Sequence, residues 1–185
     1  MNNTTKSSVK VRLAMLAAGL LLAVPGARAQ MASSMEDTNF MQVAAQGGMT
    51  EVKLGELAVK KGTTDAIKEF GRMMVKDHGA INGDLKALAA KKGVILYPSL
   101  DEKHQAMVDK MADLPGSEFD DTYIIESVKA HQLDAKAFKA ELAATHDADI
   151  QGFLVKSIPV VEAHLEHVAG LQKASQTTML DKKVK

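Results

Sequence analysis

Apolar residues recur with a period close to that of an α-helix along most of the chain after residue 35, and runs that alternate apolar and polar positions are absent. The first pattern is typical of amphipathic helices, whereas half-buried strands would show the second. Residues with high helix propensity, mainly Ala, Leu, Lys, Glu and Met, fill the same stretch. The pattern predicts four long helices, over about 36–61, from a cap at Thr63 or Thr64 to 92, from a cap at Ser117 to 145, and from Asp147 or Asp149 to 173. It also predicts one short helix that begins with a capping box, Ser99 to Glu102, and ends near residue 113.

The connection between the second and third long helices is too long for a tight turn, and it contains the short helix. A connection of this length allows the two helices that it joins to run parallel, as they do in ferritin-like bundles. Gly62 and Gly93 are typical helix ends, and Pro159 predicts a kink in the last helix. The sequence therefore predicts an all-α fold, a ferritin-like four-helix bundle with a short extra helix between helices 2 and 3.

The first 29 residues have the three-part order of a cleavable signal peptide. Basic residues without any acidic one precede an apolar run over 13–24, and small residues stand at Ala27 and Ala29. The run is shorter than the roughly 20 residues that span a membrane, which favours a cleaved leader over an anchor. We expect a signal peptide at 1–29, a bundle domain at 30–173 and a flexible tail at 174–185, with the cleaved product periplasmic or secreted.

Charge and cysteine content narrow the partners of the cleaved chain. The whole sequence has 23 basic and 23 acidic residues, and loss of the leader, which holds four basic residues and no acidic one, leaves 19 against 23. A weakly acidic surface with few aromatic residues argues against nucleic acid or an anionic membrane as the main partner. No later stretch is apolar for long enough to span a membrane, and no cysteine is present to form a disulfide. The sequence identifies no protein partner.

One ionisable residue interrupts the apolar stripe of each long helix, near the middle of the helix. In chain order these residues are Glu51, His78, His131 and His164. Buried charges and imidazoles are costly unless they are paired or coordinated, and the four lie within roughly one helical turn of the same depth. Three neutral imidazoles and one carboxylate suit a single transition metal such as Zn, Fe, Cu or Mn. Asp77 could orient His78 from outside the ligand set, although its direction on the helix, about 100° away, favours solvent or a neighbouring helix.

Two other interpretations are compatible with the same polar layer. The four residues could form a hydrogen-bonded layer that fixes helix register in a structural or stress-associated protein. They could also hold a metal with an open position in a redox enzyme, but the sequence offers no substrate pocket or general acid. No Gly-x-Ser-x-Gly elbow or phosphate-binding glycine loop is present, so no catalytic residue is assigned.

Motifs spread along the chain form a distinctive set when they are taken together. They are Phe40, Ala44, Gly47-Gly48, Glu51-Val52, Leu54-Gly55, Leu57-Ala58, Met74 to His78, Asn82, Leu85, Phe119-Asp120, Tyr123, His131, Phe138, Pro159 and His164-Leu165. The set resembles an exported bacterial family of unknown function, whose members are predicted to be ferritin-like and are often labelled outer membrane proteins. The resemblance covers about residues 35–172. It implies a ferritin-like bundle and an extracytoplasmic location, and it brings no established activity.

True ferritins differ from this sequence in their metal-binding motif. Their di-iron centre uses a Glu-x-x-His pair on each of two helices. Here Glu69 is followed at the third position by Arg72, and Glu126 is followed by Lys129. The sequence therefore argues against a ferroxidase or iron-storage role and leaves a single-metal site rich in histidine.

Overall fold

The computed structural model describes residues 33–184, with side chains up to residue 177, and this part of the chain contains five helices and no strand. Four long helices and a short one in the second connection confirm the predicted all-α bundle. None of the helices within 33–184 is both long and apolar enough to cross a membrane. The predicted signal peptide lies outside the described residues. The helices are α1 (Met35–Lys61), α2 (Asp65–Lys92), α3 (Glu102–Asp113), α4 (Gly116–Ala144) and α5 (Ala148–Val184).

Local side-chain and backbone chemistry fixes where these helices begin and end. Ser34 and Asp37 form a capping box at the start of α1, and the Thr64 hydroxyl accepts the amide of Ile67 in the first turn of α2. Gly93 ends α2 with a φ of 71°, a left-handed conformation that favours glycine. The short helix α3 is capped by Asp101, not by a capping box starting at Ser99 as the sequence suggested, because the Asp101 carboxylate accepts the amide of His104.

The last helix is longer than the sequence predicted. The periodic pattern indicated an end near residue 173, whereas α5 continues to Val184. Pro159 lies inside this helix, without a break in its helical backbone. The flexibility of residues 174–185 stays a prediction.

Two glycines allow α1 and α2 to pack against each other at close range. A Cβ atom on Gly71 would lie 2.8 Å from both the Ala58 Cβ and the Gly55 carbonyl oxygen. A Cβ atom on Gly55 would lie 2.9 Å from the Gly71 carbonyl oxygen. These separations are too short for a real side chain, so glycine at both positions sets the distance between the two helices.

Two glutamines of α1 hold the connection between α2 and α3 in place. Gln42 donates to the carbonyl of Ile95 and accepts the amide of Tyr97, while Gln46 donates to the carbonyl of Ser99 and accepts the amide of Asp101. The side-chain amide of each glutamine thus donates one hydrogen bond to the backbone of the connection and accepts one from it. These four hydrogen bonds hold the long connection along α1, and the chain continues from it into α3 and then α4.

Two apolar clusters fill the bundle. The first joins the start of α1, the end of α2, the end of α4 and the start of α5, and it includes Phe40 and Leu85. The second joins the end of α1, the starts of α2 and α4, and a later part of α5, and it includes Phe70 and Phe119. Since α2 and α4 both run from the second cluster to the first, they are parallel, as the length of their connection predicted.

The predicted polar layer lies between these two clusters on every long helix. The exposed fraction is 4% for Glu51, 3% for His78, 0% for His131 and 1% for His164. On α2, for example, His78 stands between Met74 of one cluster and Leu85 of the other. The apolar stripes therefore bury one ionisable residue each, and the fold brings these four residues to similar depth.

Candidate metal centre

Three imidazoles from three different helices meet in the core of the bundle. His78 comes from α2, His131 from α4 and His164 from α5, and their ring centroids lie 5.2 to 5.5 Å apart. The Nε2 atoms of His78 and His131 are 3.4 Å apart. Each ring offers one nitrogen such that all three nitrogens lie within 4.8 Å of one another. Among the described residues, this is the only group of three or more potential ligands with such spacing.

Hydrogen bonds on the sides of two rings that face away from the group determine which ring nitrogen keeps a lone pair for a ligand. His131 places Nδ1 2.8 Å from the carbonyl oxygen of Ser127, which can only accept, so Nδ1 carries the proton and Nε2 keeps its lone pair. His164 places Nε2 3.1 Å from an Asp77 carboxylate oxygen, which leaves the lone pair on Nδ1. That Nδ1 atom is buried and has no hydrogen-bond partner. The two contacts orient the rings as outer carbonyl and carboxylate groups do around metal-bound histidines.

Burial keeps two of these imidazoles neutral. It lowers the pKa of His78 to about 3, with further lowering from His131 and His164. Burial also lowers the pKa of His131 to about 4, although the contact with Ser127 acts in the opposite direction. A metal binds the neutral form of imidazole, so these rings need not lose a proton to become ligands at neutral pH.

Glu51 lies in the same layer but outside the group of three nitrogens. Its carboxyl interacts electrostatically with Asp134 and Tyr123 of α4, and its Oε2 atom is buried without a partner. Burial, followed by the charge of Asp134, raises the pKa of Glu51 to about 8. The structure thus brings together three of the four predicted ligands, while ligation by Glu51 stays a prediction.

Asp77 faces the candidate site through His164, not through the adjacent His78. Its carboxylate is 29% exposed and contacts the imidazole of His164, which is 1% exposed. The sequence left two directions for Asp77, the adjacent His78 or solvent and a neighbouring helix, and the contact with His164 is on a neighbouring helix, α5. Ser127 was missed as an orienting residue, although its position one turn before His131 on α4 was a usable signal.

Further buried polar groups surround Glu51. The hydroxyls of Tyr123 and Ser127 are both buried, and apart from the interaction between the two they have no hydrogen-bond partner. Burial and the neighbouring Glu51 raise the pKa of Tyr123 above its usual range, so the phenol is neutral. Glu51, Tyr123 and Ser127 thus form a polar region of the layer. This region is next to the histidines because Ser127 also provides the carbonyl that His131 contacts.

Comparisons with known proteins confirm the family and the fold. The family model described as a domain of unknown function (DUF4142) matches residues 22–171, in agreement with the resemblance of the motifs. A DUF305 fragment from Deinococcus radiodurans has a similar crystal structure, with a TM-score of 0.68, 10% identity, and coverage of 77% of this chain and 99% of that chain. CopM in its Cu(I)-bound form gives a TM-score of 0.63 and 14% identity, covering 77% of this chain and 98% of that chain. At such low identity these structures establish a ferritin-like helical fold alone. No curated protein matches the sequence.

Proposed function

The chain belongs to the DUF4142 family, and we propose that it is an exported protein that holds one transition-metal ion between His78, His131 and His164. The observation that carries this proposal is the arrangement of three buried imidazoles with nitrogens within 4.8 Å of one another. The sequence-predicted leader supports export, so the chain would acquire its ion in the periplasm or outside the cell.

Unsatisfied hydrogen bonds support a ligand at this position. Burying an imidazole nitrogen without a partner costs free energy, and the Nδ1 atom of His164 is buried in this way. His78 and His131 offer each other only one contact, at 3.4 Å, which is longer than a good hydrogen bond. An ion between the three rings would accept all three lone pairs at once.

The outer contacts of the rings and a protein of similar fold give independent support. His131 and His164 are each held from outside, by Ser127 and Asp77, in the manner of metal-binding histidines. CopM, which shares the fold at 14% identity, was solved in a Cu(I)-bound form, so a bundle of this shape can accommodate a metal.

A second candidate function is structural, with the polar layer fixing the register of the helices. The position of the layer between two apolar clusters favours this alternative. The alternative accounts less well for the buried atoms that lack partners, since a layer kept for its hydrogen bonds should satisfy them.

Metal analysis of the exported, untagged chain separates the two functions. The wild type would be recovered from the exported fraction, incubated with candidate metals, desalted and measured by mass spectrometry for metal per chain. We expect one equivalent in the wild type and none in a His78→Leu/His131→Leu/His164→Leu triple variant. His146→Gln, at an exposed position in the connection before α5, is the matched histidine control and should retain the metal. A wild type that holds no metal after reconstitution would favour the structural alternative.

A further inference from the structure

A cavity outside the histidine layer lies between α1, the end of α2 and the connection that follows α2. Its volume is about 390 Å³, whereas small-molecule sites in proteins range over roughly 300–1,000 Å³. A cavity near the lower end of that range suits a short ligand better than a whole lipid. Its lining residues do not include the three histidines, so the proposed metal site does not account for it.

The wall of this cavity is mainly aliphatic and extends from the core to the surface. Leu85 and Ala89 of α2 form its buried part, since each is 1% exposed and belongs to the first apolar cluster. Val94 and Leu96 line it from the connection, beside Tyr97, which is 65% exposed. The two glutamines of α1 hold this connection in place, so the wall is formed before a ligand enters. An alkyl group that leaves water for this wall gains free energy from the burial of apolar surface.

Two hydrogen-bond donors lie on the α2 side of the cavity. Asn82 and Lys86 both line it, and their spacing along the helix places them on the same face of α2, one turn apart. The Oδ1 atom of Asn82 is directed at Gly48 of α1, where a Cβ atom would lie 2.0 Å from it. That oxygen is buried, which leaves Nδ2 as the amide atom that a ligand can reach. Within the described residues, neither Nδ2 of Asn82 nor Nζ of Lys86 has a hydrogen-bond or ion-pair partner.

The charge of the cavity favours an anionic ligand. Lys86 is the only charged side chain among the described residues that line it, so a carboxylate would meet an ammonium group without a competing acidic group. A carboxylate only accepts hydrogen bonds, and it can accept one from each of the two donors. We propose that this cavity binds a medium-chain fatty acid, with its carboxylate at Asn82 and Lys86 and its alkyl chain along the aliphatic wall.

Binding of octanoate and of octanol to the exported, untagged chain tests this proposal. Titrations followed by two-dimensional NMR would give the stoichiometry, the affinity and the residues whose amide signals move. We expect one equivalent of octanoate, with the shifts confined to residues around the cavity. Lys86→Gln should weaken octanoate binding by about three- to fivefold and leave octanol binding unchanged, because only octanoate carries a charge. Lys76→Gln, at an exposed position on the same helix, is the matched control and should change neither affinity.

A second variant fills the cavity. Ala90 lines it at an exposed position, so Ala90→Phe should place a ring in the cavity without disturbing the core. We expect the affinities for octanoate and octanol both to fall by about tenfold or more, because the ring takes the place of the alkyl chain. Far-UV circular dichroism would show whether the bundle is folded. The triple histidine variant should still bind octanoate, so the loss of metal and the loss of fatty acid are separate results.

Three results would overturn the fatty-acid site. The first is a wild type that shows no saturable binding of octanoate, or shifts that lie away from the cavity. The second is an octanoate affinity that is the same in Lys86→Gln as in Lys76→Gln, because the carboxylate would then not be at Lys86. The third is tighter binding of phenylpropionate, an aromatic carboxylate, than of octanoate, because the cavity would then not select an alkyl chain.

Discussion

The carboxylate of Asp77 on α2 accepts a hydrogen bond from Nε2 of His164 on α5, at a distance of 3.1 Å. The contact crosses between two helices and leaves Nδ1 of His164 as the nitrogen that faces a ligand. Asp77 is adjacent to His78 in the sequence, yet it orients the ring of His164 on a neighbouring helix. Because Asp77 is partly exposed, it also forms the link between the buried histidines and the surface of the bundle.

Replacing Asp77 should weaken metal binding without unfolding the bundle. We expect Asp77→Leu to lower the affinity for the ion by roughly 10- to 100-fold, because the ring of His164 loses its acceptor. Asp77→Asn retains an acceptor oxygen but not the charge, so it should recover part of the loss. Chelator competition gives the affinities, and Asp84→Asn, an exposed position on the same helix, is the control. Equal affinities in Asp77→Leu and the wild type would show that this contact has no role in binding.

Replacing His131 distinguishes a metal site from a structural layer. We expect His131→Leu to lose the metal and to remain folded, with a change in unfolding free energy of about 2 kcal/mol or less. The reason is that leucine fills much of the same space, and the Ser127 carbonyl lies inside α4, where the helix itself supplies a donor. Urea unfolding followed by circular dichroism measures the stability, and elemental analysis measures the metal. A metal-free chain that fails to fold would favour the structural role.

The pH dependence of stability should report the buried carboxyl of Glu51. Its pKa rises from 4.5 to about 8 on folding, because burial favours the protonated form. The stabilisation is therefore complete below pH 4.5 and is lost as the pH rises towards 8, by up to about 1.4 kcal/mol per pH unit. Glu51→Gln should remove this slope, so its stability relative to the wild type should increase between pH 5 and pH 8. Parallel stability curves for the two proteins would contradict a buried, protonated Glu51.

The close contact between α1 and α2 should tolerate no side chain at Gly71. We expect Gly71→Ala to lower the unfolding free energy by about 1–3 kcal/mol, because its Cβ would overlap Ala58 and the backbone of Gly55. Gly83 lies on the same helix with nothing within 4 Å of a Cβ atom, so Gly83→Ala should be neutral or stabilising by up to about 1 kcal/mol. Urea midpoints of the two variants provide the comparison. A Gly71→Ala protein as stable as Gly83→Ala would show that the helices can move apart at no cost.

Much of the fold could be predicted from the sequence because helical periodicity is a local property. The spacing of apolar residues indicated the four long helices, the short α3 and the inward direction of Glu51, His78, His131 and His164. The parallel course of α2 and α4 followed from the length of their connection. These features depend on the order of residues along one helix or between two neighbours.

The details of the site depend on how the helices are rotated against one another, which a helical period does not determine. A difference of about one turn in depth was compatible with four ligands, yet Glu51 interacts with Asp134 and Tyr123 and lies outside the group of nitrogens. The contact between Asp77 and His164 joins residues that are 87 positions apart. No pattern within α2 alone could reveal it.

X-ray absorption spectroscopy of the untagged chain, loaded with the transition metal that it retains, tests the central claim most directly, since it counts the atoms around the ion. A centre built from these three histidines predicts three nitrogen scatterers at about 2 Å and the outer-shell scattering of imidazole rings. The same signal should disappear in the His78→Leu/His131→Leu/His164→Leu variant. A first shell dominated by sulfur from methionine, or by oxygen without imidazole scattering, would contradict a metal centre built from His78, His131 and His164.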